Sequence, residues 1–230
     1  MVFALNTEIP IVELAKVYQQ TGCVTIPNFL SLESAENVSN YLNNCPEDKW
    51  SVSIHPFIPN QYIFNNTSDN RDLIDKGLKS ATEAFTRGEF SYFFYRQDHH
   101  GDECSLCQCI DFLNTQPVFD LINAITNETV SSTISVFGSS YRAGSFLTTH
   151  TDTGRGKIAH VLNLTKDWRP QFGGCLTFLD WDFKTINRIV NPTFNSLTIF
   201  NVKGSGVPHM VLPVHPEIET QRLAISGWFQ

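Results

Sequence analysis

The chain has 230 residues, of which 41% are hydrophobic and 17% charged, and its formal net charge is −7. These values fit one soluble domain with a substantial core, and the acidic charge argues against nucleic-acid or anionic-membrane partners. The sequence contains no run of about 18 apolar residues, so it predicts no membrane span. The N-terminus lacks the basic and apolar regions of a signal peptide. We therefore expect a cytoplasmic protein, and the oligomeric state stays open.

Helical patterns dominate the first half of the chain. Apolar residues recur at helical spacing in four segments, and Ser31 is a good N-cap for the second of them. In that second helix Leu32, Ala35, Val38 and Leu42 fall on one face. Two short segments, CVTIP and FSYFFYR, are instead typical of strands. The four helical segments are residues 11–21, SLESAENVSNYLNN, RDLIDKGLKSATEAF and QPVFDLINAIT.

Strand patterns replace helical ones from about residue 130 onward. Eight short apolar segments follow one another, separated by Gly, Pro, Asn and Asp. Helices followed by eight antiparallel strands predict a mainly β fold, in which a double-stranded β-helix (jelly roll) packs against N-terminal α-helices. We expect one domain over 1–230, with helical support and a possible lid loop in 1–129 and the core with its site in 130–230. The segments are STISVFG, SFLTTHT, KIAHVLNLT, GCLTFLD, NRIVN, NSLTIFN, PHMVLPV and RLAISGWF.

The segment FLTTHTDTGRG places His150 and Asp152 two residues apart, which puts both side chains on one side of a strand. Alone, this pair is as consistent with a polar strand end as with a metal site. His209, on a late strand, is either a hydrogen-bonded core histidine or a third ligand. Two histidines and one carboxylate would occupy one face of an octahedron and leave three positions open, which suits non-haem Fe(II).

Arg222 lies in the otherwise apolar segment RLAISGWF. A guanidinium directed into a barrel is costly unless an anion pairs with it, and no carboxylate of the chain is an obvious partner. The hypothesis is a bound dicarboxylate that chelates the metal at one end and meets Arg222 at the other, with Ser226 as a further donor. The alternative is that Arg222 extends to the barrel rim.

These motifs together resemble the 2-oxoglutarate- and iron(II)-dependent oxygenases, and within them the prolyl-4-hydroxylase-like branch. The resemblance runs in order from Ser135 to Phe229. It rests on the segments YRAGSFLTTHTD, VLNLTKDWRPQFGGCLTF and NSLTIFN…PHMVLPV…QRLAISGWF. The matching residues are Tyr141, Gly144, His150, Asp152, Trp168, Gly173, Gly174, Asn195, His209 and Arg222.

The resemblance implies an enzyme that couples oxidative decarboxylation of 2-oxoglutarate to hydroxylation of an unactivated C–H bond, with Fe(2+), O2 and ascorbate as reductant. It implies iron held by His150, Asp152 and His209. The substrate would be a peptidyl residue (prolyl-like), a free amino acid or a small natural product.

Two residues depart from the family pattern. Leu147 stands where many relatives have Tyr, so Tyr141 is expected to supply the phenolic contact to 2-oxoglutarate. Cys175 stands where many have an acidic residue. The intact Asp152 favours hydroxylation over halogenation.

Other polar residues near these motifs are weaker candidates. His160 is either a contact to 2-oxoglutarate or a core histidine. Arg155, Arg142, His100 and Trp228 are candidate substrate contacts, and a solvated turn charge is the alternative for Arg155.

The segment RQDHHGDECSLCQC is a second cluster of potential ligands. Zinc bound at Cys104, Cys107 and Cys109, with His100 nearby, is one interpretation. The other, which we favour, is a mobile loop that forms part of a substrate lid.

Two rival functions stay open: a non-catalytic cupin-like metal-binding or sensor module, and a zinc-stabilised interaction protein. Arg222 discriminates against a mere metal binder, which needs no anion partner in its core.

Overall fold

The computed structural model describes residues 3–101 and 103–230. Four of its helices lie where the sequence predicts them, and a fifth begins within the segment that we expected to be a loop. No helix in these two ranges is long and apolar enough to cross a membrane. The helices are α1 (Ile11–Thr21), α2 (Leu32–Asn43), α3 (Arg71–Thr86), α4 (Ser105–Leu113) and α5 (Gln116–Thr126).

Twelve strands form the rest of the described fold, and the last eight match the eight predicted segments. The hairpin of β2 and β3 was not predicted. Polar and apolar residues do alternate from Ser51 to His55 at the start of β2, so the sequence contained a strand pattern that was overlooked. The strands of the first half are β1 (Cys23–Ile26), β2 (Ser51–Ile58), β3 (Gln61–Asn65) and β4 (Tyr92–Asp98). Those of the second half are β5 (Thr133–Tyr141), β6 (Phe146–His150), β7 (Ile158–Asn163), β8 (Leu176–Leu179), β9 (Ile186–Val190), β10 (Ser196–Asn201), β11 (His209–Val211) and β12 (Arg222–Phe229).

The strands form one antiparallel sheet in the order β1-β10-β7-β12-β5-β4-β6-β11-β8-β9. The sheet curls so far that its two ends meet. The guanidinium of Arg188 on β9 donates to the carbonyl oxygen of Cys23 on β1 at 3.1 Å. Phe178 of β8 and Phe200 of β10 face each other across the interior, with ring centroids 5.1 Å apart. The predicted jelly roll is therefore confirmed.

The first half of the chain contributes more than helical support. Strand β4 lies in the middle of the sheet, where it pairs with β2 on one edge and with both β5 and β6 on the other. Asn195 connects the halves at another point, because its side-chain amide accepts from Leu30 N at 2.9 Å and donates to Leu30 O at 2.8 Å. The barrel that carries the site thus includes residues from both halves.

The helices cover the outer face of the sheet and build the larger core. Ser31 caps α2 as predicted, since its hydroxyl accepts from Ser34 N. Ala35, Val38 and Leu42 are fully buried, but Leu32 is 64% exposed, so the predicted apolar face starts one turn later. The first residue of a helix projects beyond the packed turns and gains little from the core.

The segment predicted to be a lid loop, residues 96–109, begins in the last residues of β4 and ends in the first half of helix α4. Leu106, Cys109 and Leu113 are fully buried in the helix-side core. Their spacing of three and four residues is that of one helical face. The three polar or cysteine residues between them obscured this pattern in the sequence.

The Gly173–Gly174 pair forms the turn before β8. Gly173 has φ +77, and a Cβ there would overlap the carbonyl oxygen of Pro213. A Cβ on Gly174 would lie 3.3 Å from Cδ of Arg222 and from the Trp168 ring. The glycines therefore allow a close backbone approach next to a buried arginine.

We predict that Gly173→Ala destabilises the fold by more than the cost of a positive φ alone. Gly144 is a matched control, because its φ is +76 and a Cβ there would meet nothing within 4 Å. Gly144→Ala should cost about 1–2 kcal/mol, and Gly173→Ala should cost at least about 2 kcal/mol more from backbone overlap. Urea denaturation of both variants measures the difference, and equal losses would contradict the packing argument.

Candidate metal and cofactor site

A cavity of about 760 Å³ lies inside the curled sheet. Residues from both halves of the chain line it, including Tyr92, Phe94 and Arg96 of β4. Its charged lining consists of Asp152 and three arginines: Arg96, Arg155 and Arg222. Such a concave site with few, convergent polar groups is the usual form of a small-molecule site.

His150, Asp152 and His209 meet on one wall of this cavity. One donor atom from each lies within 4.8 Å of the others. Nε2 of His150 is 3.4 Å from Oδ1 of Asp152, and Nε2 of His209 is 3.5 Å from Oδ2. The histidines come together because β6 and β11 pair antiparallel with His209 opposite His150.

Asp152 does not share a strand with His150, contrary to the sequence prediction. Strand β6 ends at His150, and Asp152 follows in a turn. The convergence of the two side chains therefore comes from the turn rather than from strand alternation. The conclusion that both side chains face one point holds, while its stated geometric reason was wrong.

Hydrogen bonds fix the orientation of each of these side chains. Nδ1 of His150 lies 2.9 Å from the Thr148 carbonyl oxygen, and Nδ1 of His209 lies 2.8 Å from that of Val207. Protonated Nδ1 atoms donating to these carbonyls leave both Nε2 atoms for the shared point. Trp228 Nε1 donates to Oδ2 of Asp152 at 3.1 Å. Burial opposes the Asp152 charge, but hydrogen bonds from His150 and His209 outweigh it and hold the pKa of this carboxyl well below its usual range.

This donor set fits a divalent transition metal with open coordination positions. Two imidazoles and one carboxylate supply three ligands on one side, and the cavity lies on the other. A structural zinc site would need a fourth protein ligand. The described residues within reach supply three, which is the arrangement of Fe(II) oxygenases.

Arg222 is buried in the same cavity, with 2% of its surface exposed. Its Nη2 donates to the Asn163 side-chain oxygen at 3.2 Å. Nε is buried and has no partner within the described residues. This burial excludes the rim position, and no described carboxylate lies within 4 Å to pair with the guanidinium. Burial lowers the pKa of Arg222, which is the direction expected when a charge lacks a compensating anion.

Tyr141 and Ser226 lie on the same side of the cavity as Arg222. Tyr141 is the register partner of Arg222 across β5 and β12, and the guanidinium carbon lies 5.2 Å from its ring. Burial raises the pKa of Tyr141, so the phenol stays protonated and can donate. Ser226 lies two alternations further along β12 and also lines the cavity. Cys175 adjoins Arg222 but carries no charge to neutralise it.

Of the four candidate substrate contacts, two line the cavity and two do not. Arg155 lines it, with its guanidinium carbon 5.3 Å from the Trp228 ring. Trp228 also lines it, although its indole N–H is used by Asp152. Arg142 points elsewhere, pairing with Glu47 and stacking 3.9 Å from the Tyr95 ring. His100 lies outside the cavity, beside Cys107.

His160 lies between the cavity and the helix-side core. It borders the cavity, but its strand neighbours on the same face, Ile158 and Leu162, belong to the helix-side core. Its ring lies 4.7 Å from Phe229, and neither ring nitrogen has a hydrogen-bond partner within the described chain. Burial lowers the pKa of His160 to about 3, so the imidazole is neutral in the fold.

Several residues of the site were missed in the sequence. Asn163, the partner of Arg222, looked like an ordinary strand end. Tyr92 and Arg96 alternate on the inward face of β4, a pattern that FSYFFYR does contain. Phe90 lies 5.7 Å from the His150 ring and is 45% exposed. Nothing in the sequence could connect it to His150, because the contact depends on how β4 pairs with β6.

The second predicted ligand cluster has a different composition from that expected. Cys104 and Cys107 converge with His100, and Cys109 is not part of the group. Cys109 is fully buried in the helix-side core, two residues and about 200° around α4 from Cys107. The zinc interpretation of Cys109 was therefore wrong, and burial raises the pKa of its thiol.

Comparison with known proteins identifies the barrel. Residues 136–230 match the model of the 2OG-Fe(II) oxygenase superfamily. This segment holds His150, Asp152, His209 and Arg222. The match covers less than half of the chain, and over this segment the chain is similar to that superfamily, whose name implies Fe(2+), 2-oxoglutarate and O2.

The chain is also similar to individual members and structures. It is 33% identical over 113 residues, or 47% of its length, to mouse (Mus musculus) prolyl 3-hydroxylase OGFOD1. It spans only 20% of that curated relative's length. Among solved structures, a Pseudomonas putida prolyl-4-hydroxylase is 18% identical with a TM-score of 0.57, covering 99% of this chain and 97% of that one. A Trichoplax adhaerens prolyl hydroxylase, in complex with a hypoxia inducible factor peptide fragment, is 19% identical with a TM-score of 0.61, covering 94% and 86%. These structures share the fold of this chain.

We predict that Trp228→Phe weakens metal binding without unfolding the barrel. The ring remains, but Asp152 loses the donor that orients its Oδ2. Loss of such an outer hydrogen bond costs roughly 10- to 100-fold in metal affinity. Titration with Fe(II) under anaerobic conditions, or with Mn(II), measures the change. Unchanged affinity would show that the indole does not position the carboxylate.

We predict that His160 makes stability depend on pH. Its pKa falls from an ordinary 6.5 to about 3 in the fold. Below pH 6.5 the unfolded chain therefore binds a proton that the folded chain does not, and stability is lost as pH falls from 6.5 towards 3. The slope should approach about 1.4 kcal/mol per pH unit.

His160→Leu should remove this slope from urea unfolding curves recorded between pH 4 and 6. The exposed His215 is the control, and His215→Gln should leave the wild-type slope. Parallel curves for wild type and His160→Leu would show that the imidazole takes up a proton in the fold.

Proposed function

We propose that the protein is an iron(II)- and 2-oxoglutarate-dependent dioxygenase that hydroxylates an unactivated C–H bond. The observation that supports this best is Arg222, whose buried Nε lacks a partner within the described residues, in the same cavity as the His-Asp-His cluster. A cavity with metal ligands on one wall and an uncompensated guanidinium on another suits a chelating dicarboxylate. The match of residues 136–230 to the 2OG-Fe(II) oxygenase model supports the same cofactor pair.

In this proposal His150, Asp152 and His209 hold the iron. The bound iron, with 2-oxoglutarate, supplies the activation of O2 that C–H hydroxylation requires. The carbonyls of Thr148 and Val207 accept the Nδ1 protons, so both Nε2 atoms face Asp152 and could give up their protons to a metal, and the histidines keep Asp152 charged. The three ligands are thus held in the form that binds metal, at the cost of burying one carboxylate.

Arg222 would receive the distal carboxylate of 2-oxoglutarate, with Tyr141 donating its phenolic hydrogen and Ser226 its hydroxyl. Asn163 holds one end of the guanidinium and so sets its orientation. Leu147 lines the cavity opposite Val211 and adds no polar group. The phenolic contact is therefore assigned to Tyr141 alone, and ascorbate is proposed as the reductant that restores oxidised iron.

The substrate would enter over an aromatic wall next to His150. Phe90 and Tyr62 are 45% and 43% exposed, and both contact the ring of His55, as does Tyr92. An exposed aromatic surface beside an open cavity suits an apolar group presented from outside. We propose a peptidyl residue, prolyl-like, in line with the names of the mouse relative and of the Trichoplax complex. A free amino acid or a small natural product remains the alternative substrate class.

The rival of a cupin-like sensor accounts for the metal ligands alone. It gives no reason for a buried Arg222 that hydrogen-bonds a neutral amide, Asn163, because such a charge destabilises a protein that never binds an anion. Turnover of 2-oxoglutarate separates the two functions directly.

We predict that the purified protein with Fe(II), ascorbate and 2-oxoglutarate releases succinate, slowly without substrate and faster with it. His150→Ala should abolish release. Arg222→Lys keeps the charge but loses the planar fork, so KM for 2-oxoglutarate should rise about tenfold or more with a smaller change in kcat. Mass spectrometry of candidate peptides should show the gain of one oxygen.

Arg142→Lys is the matched control, since Arg142 lies outside the cavity and should leave KM unchanged. A failure to release succinate across a broad panel of peptides and amino acids would count against the enzyme. A uniform effect of both arginine variants would count against the assigned role of Arg222.

A further inference from the structure

We propose that His100, Cys104 and Cys107 form a second metal site, selective for zinc and separate from the barrel. The donor atoms of the three side chains lie within 4.8 Å of one another. None of the three lines the cavity. The ligand spacing in the sequence is His-x-x-x-Cys-x-x-Cys, all within eight residues.

The distances are close to those of a formed site. Zinc lies about 2.3 Å from sulfur and about 2.0 Å from nitrogen, so neighbouring tetrahedral donors are roughly 3.3–3.8 Å apart. Cys107 Sγ and His100 Nδ1 are already 3.6 Å apart. Small side-chain rotations would therefore complete the geometry without moving the backbone.

Helix α4 presents both thiols at its N-terminus. Cys104 is the N-cap residue, and its Sγ accepts from Cys107 N at 3.3 Å. A thiolate is the form that binds zinc, and because burial raises the pKa of the Cys107 thiol, the ion would have to displace its proton. Cys104 is half-buried and His100 exposed, so an ion can reach the site from solvent.

His100 supplies the third ligand from the other side of the loop. Its Nδ1 also lies 3.1 Å from the Asp98 carbonyl oxygen, at the end of β4. Coordination at Nδ1 would exchange that contact for a metal bond. Two thiolates and one imidazole are soft and borderline ligands, which favour zinc over the Fe(II) of the carboxylate-containing barrel site.

With three protein ligands the site is not a closed structural zinc site, and the role that its position allows is to crosslink two elements of the fold. The loop joins β4 to α4. Strand β4 lines the cavity with Tyr92 and Arg96. The hydroxyl of Ser105, the first residue of α4, donates to the side-chain oxygen of Asn37 on α2 at 2.7 Å. An ion bridging His100 to α4 would hold the end of β4 against the helix layer. A fourth coordination position remains for solvent.

Cobalt(II) titration of the reduced full-length protein tests the site. A thiolate–cobalt charge-transfer band in the near ultraviolet reports sulfur ligation, which the His-Asp-His site cannot produce. We expect the band to saturate at one equivalent and to disappear when zinc is added. His150→Ala should retain it, so the result does not depend on the proposed catalytic function.

Cys104→Ser is the decisive variant. Serine is a preferred N-cap residue, so the helix keeps its cap while the site loses a soft ligand. We expect this variant to keep the wild-type circular dichroism spectrum and to weaken cobalt and zinc binding by at least 100-fold. Cys109→Ala, in the core two residues beyond Cys107, should keep the band provided that its spectrum shows a folded protein.

Three results would overturn the proposal. The first is a wild-type protein that shows no charge-transfer band. The second is a band that Cys104→Ser leaves unchanged, and the third is a band lost in folded Cys109→Ala but not in Cys104→Ser.

Discussion

The arrangement of the barrel depends on one buried charge, the guanidinium of Arg222. A barrel interior is a poor solvent for a cation, and within the described residues the chain provides one amide oxygen and an aromatic face rather than a carboxylate. The neighbouring features follow from this charge. Gly174 leaves room for its side chain, Tyr141 stays neutral beside it, and the metal-binding wall faces the space that remains. The buried charge of Arg222 lowers the stability of the fold, and binding of an anionic ligand would raise it.

The sequence predicted those parts of the fold and site that rest on local pattern or on spacing along the chain. Alternation gave the eight late strands, and Ser31 marked the start of α2. His150, Asp152 and His209 were selected by residue type and order. What it missed depends on pairing between distant segments: the insertion of β4 beside β6, the contact of Phe90 with His150, and the role of Asn163. The reason given for the pairing of His150 with Asp152 also failed, because a turn and not a strand brings them together.

The two halves of the chain contribute to the core and the cavity in a different way from what the sequence patterns suggested. Helices of the first half bury the outer face of the sheet, while β4 and the β2–β3 hairpin form the entrance side of the cavity. The three candidate metal ligands come from the second half. The proposed substrate side of the cavity thus lies outside the stretch that matches the oxygenase family, where sequences of a common fold are free to differ.

The hydrogen bond from Arg188 to the Cys23 carbonyl has a consequence for the protein's behaviour in concentrated solution. β9 and β1 end the sheet, and β9 exposes Ile186 and Ile189 at 49% and 55%. An apolar strand at a sheet edge invites pairing with a second chain. Here the charged Arg188 between the two isoleucines turns inward and takes a backbone acceptor of the opposite edge. The interaction that closes the barrel thus also protects it against edge-to-edge aggregation.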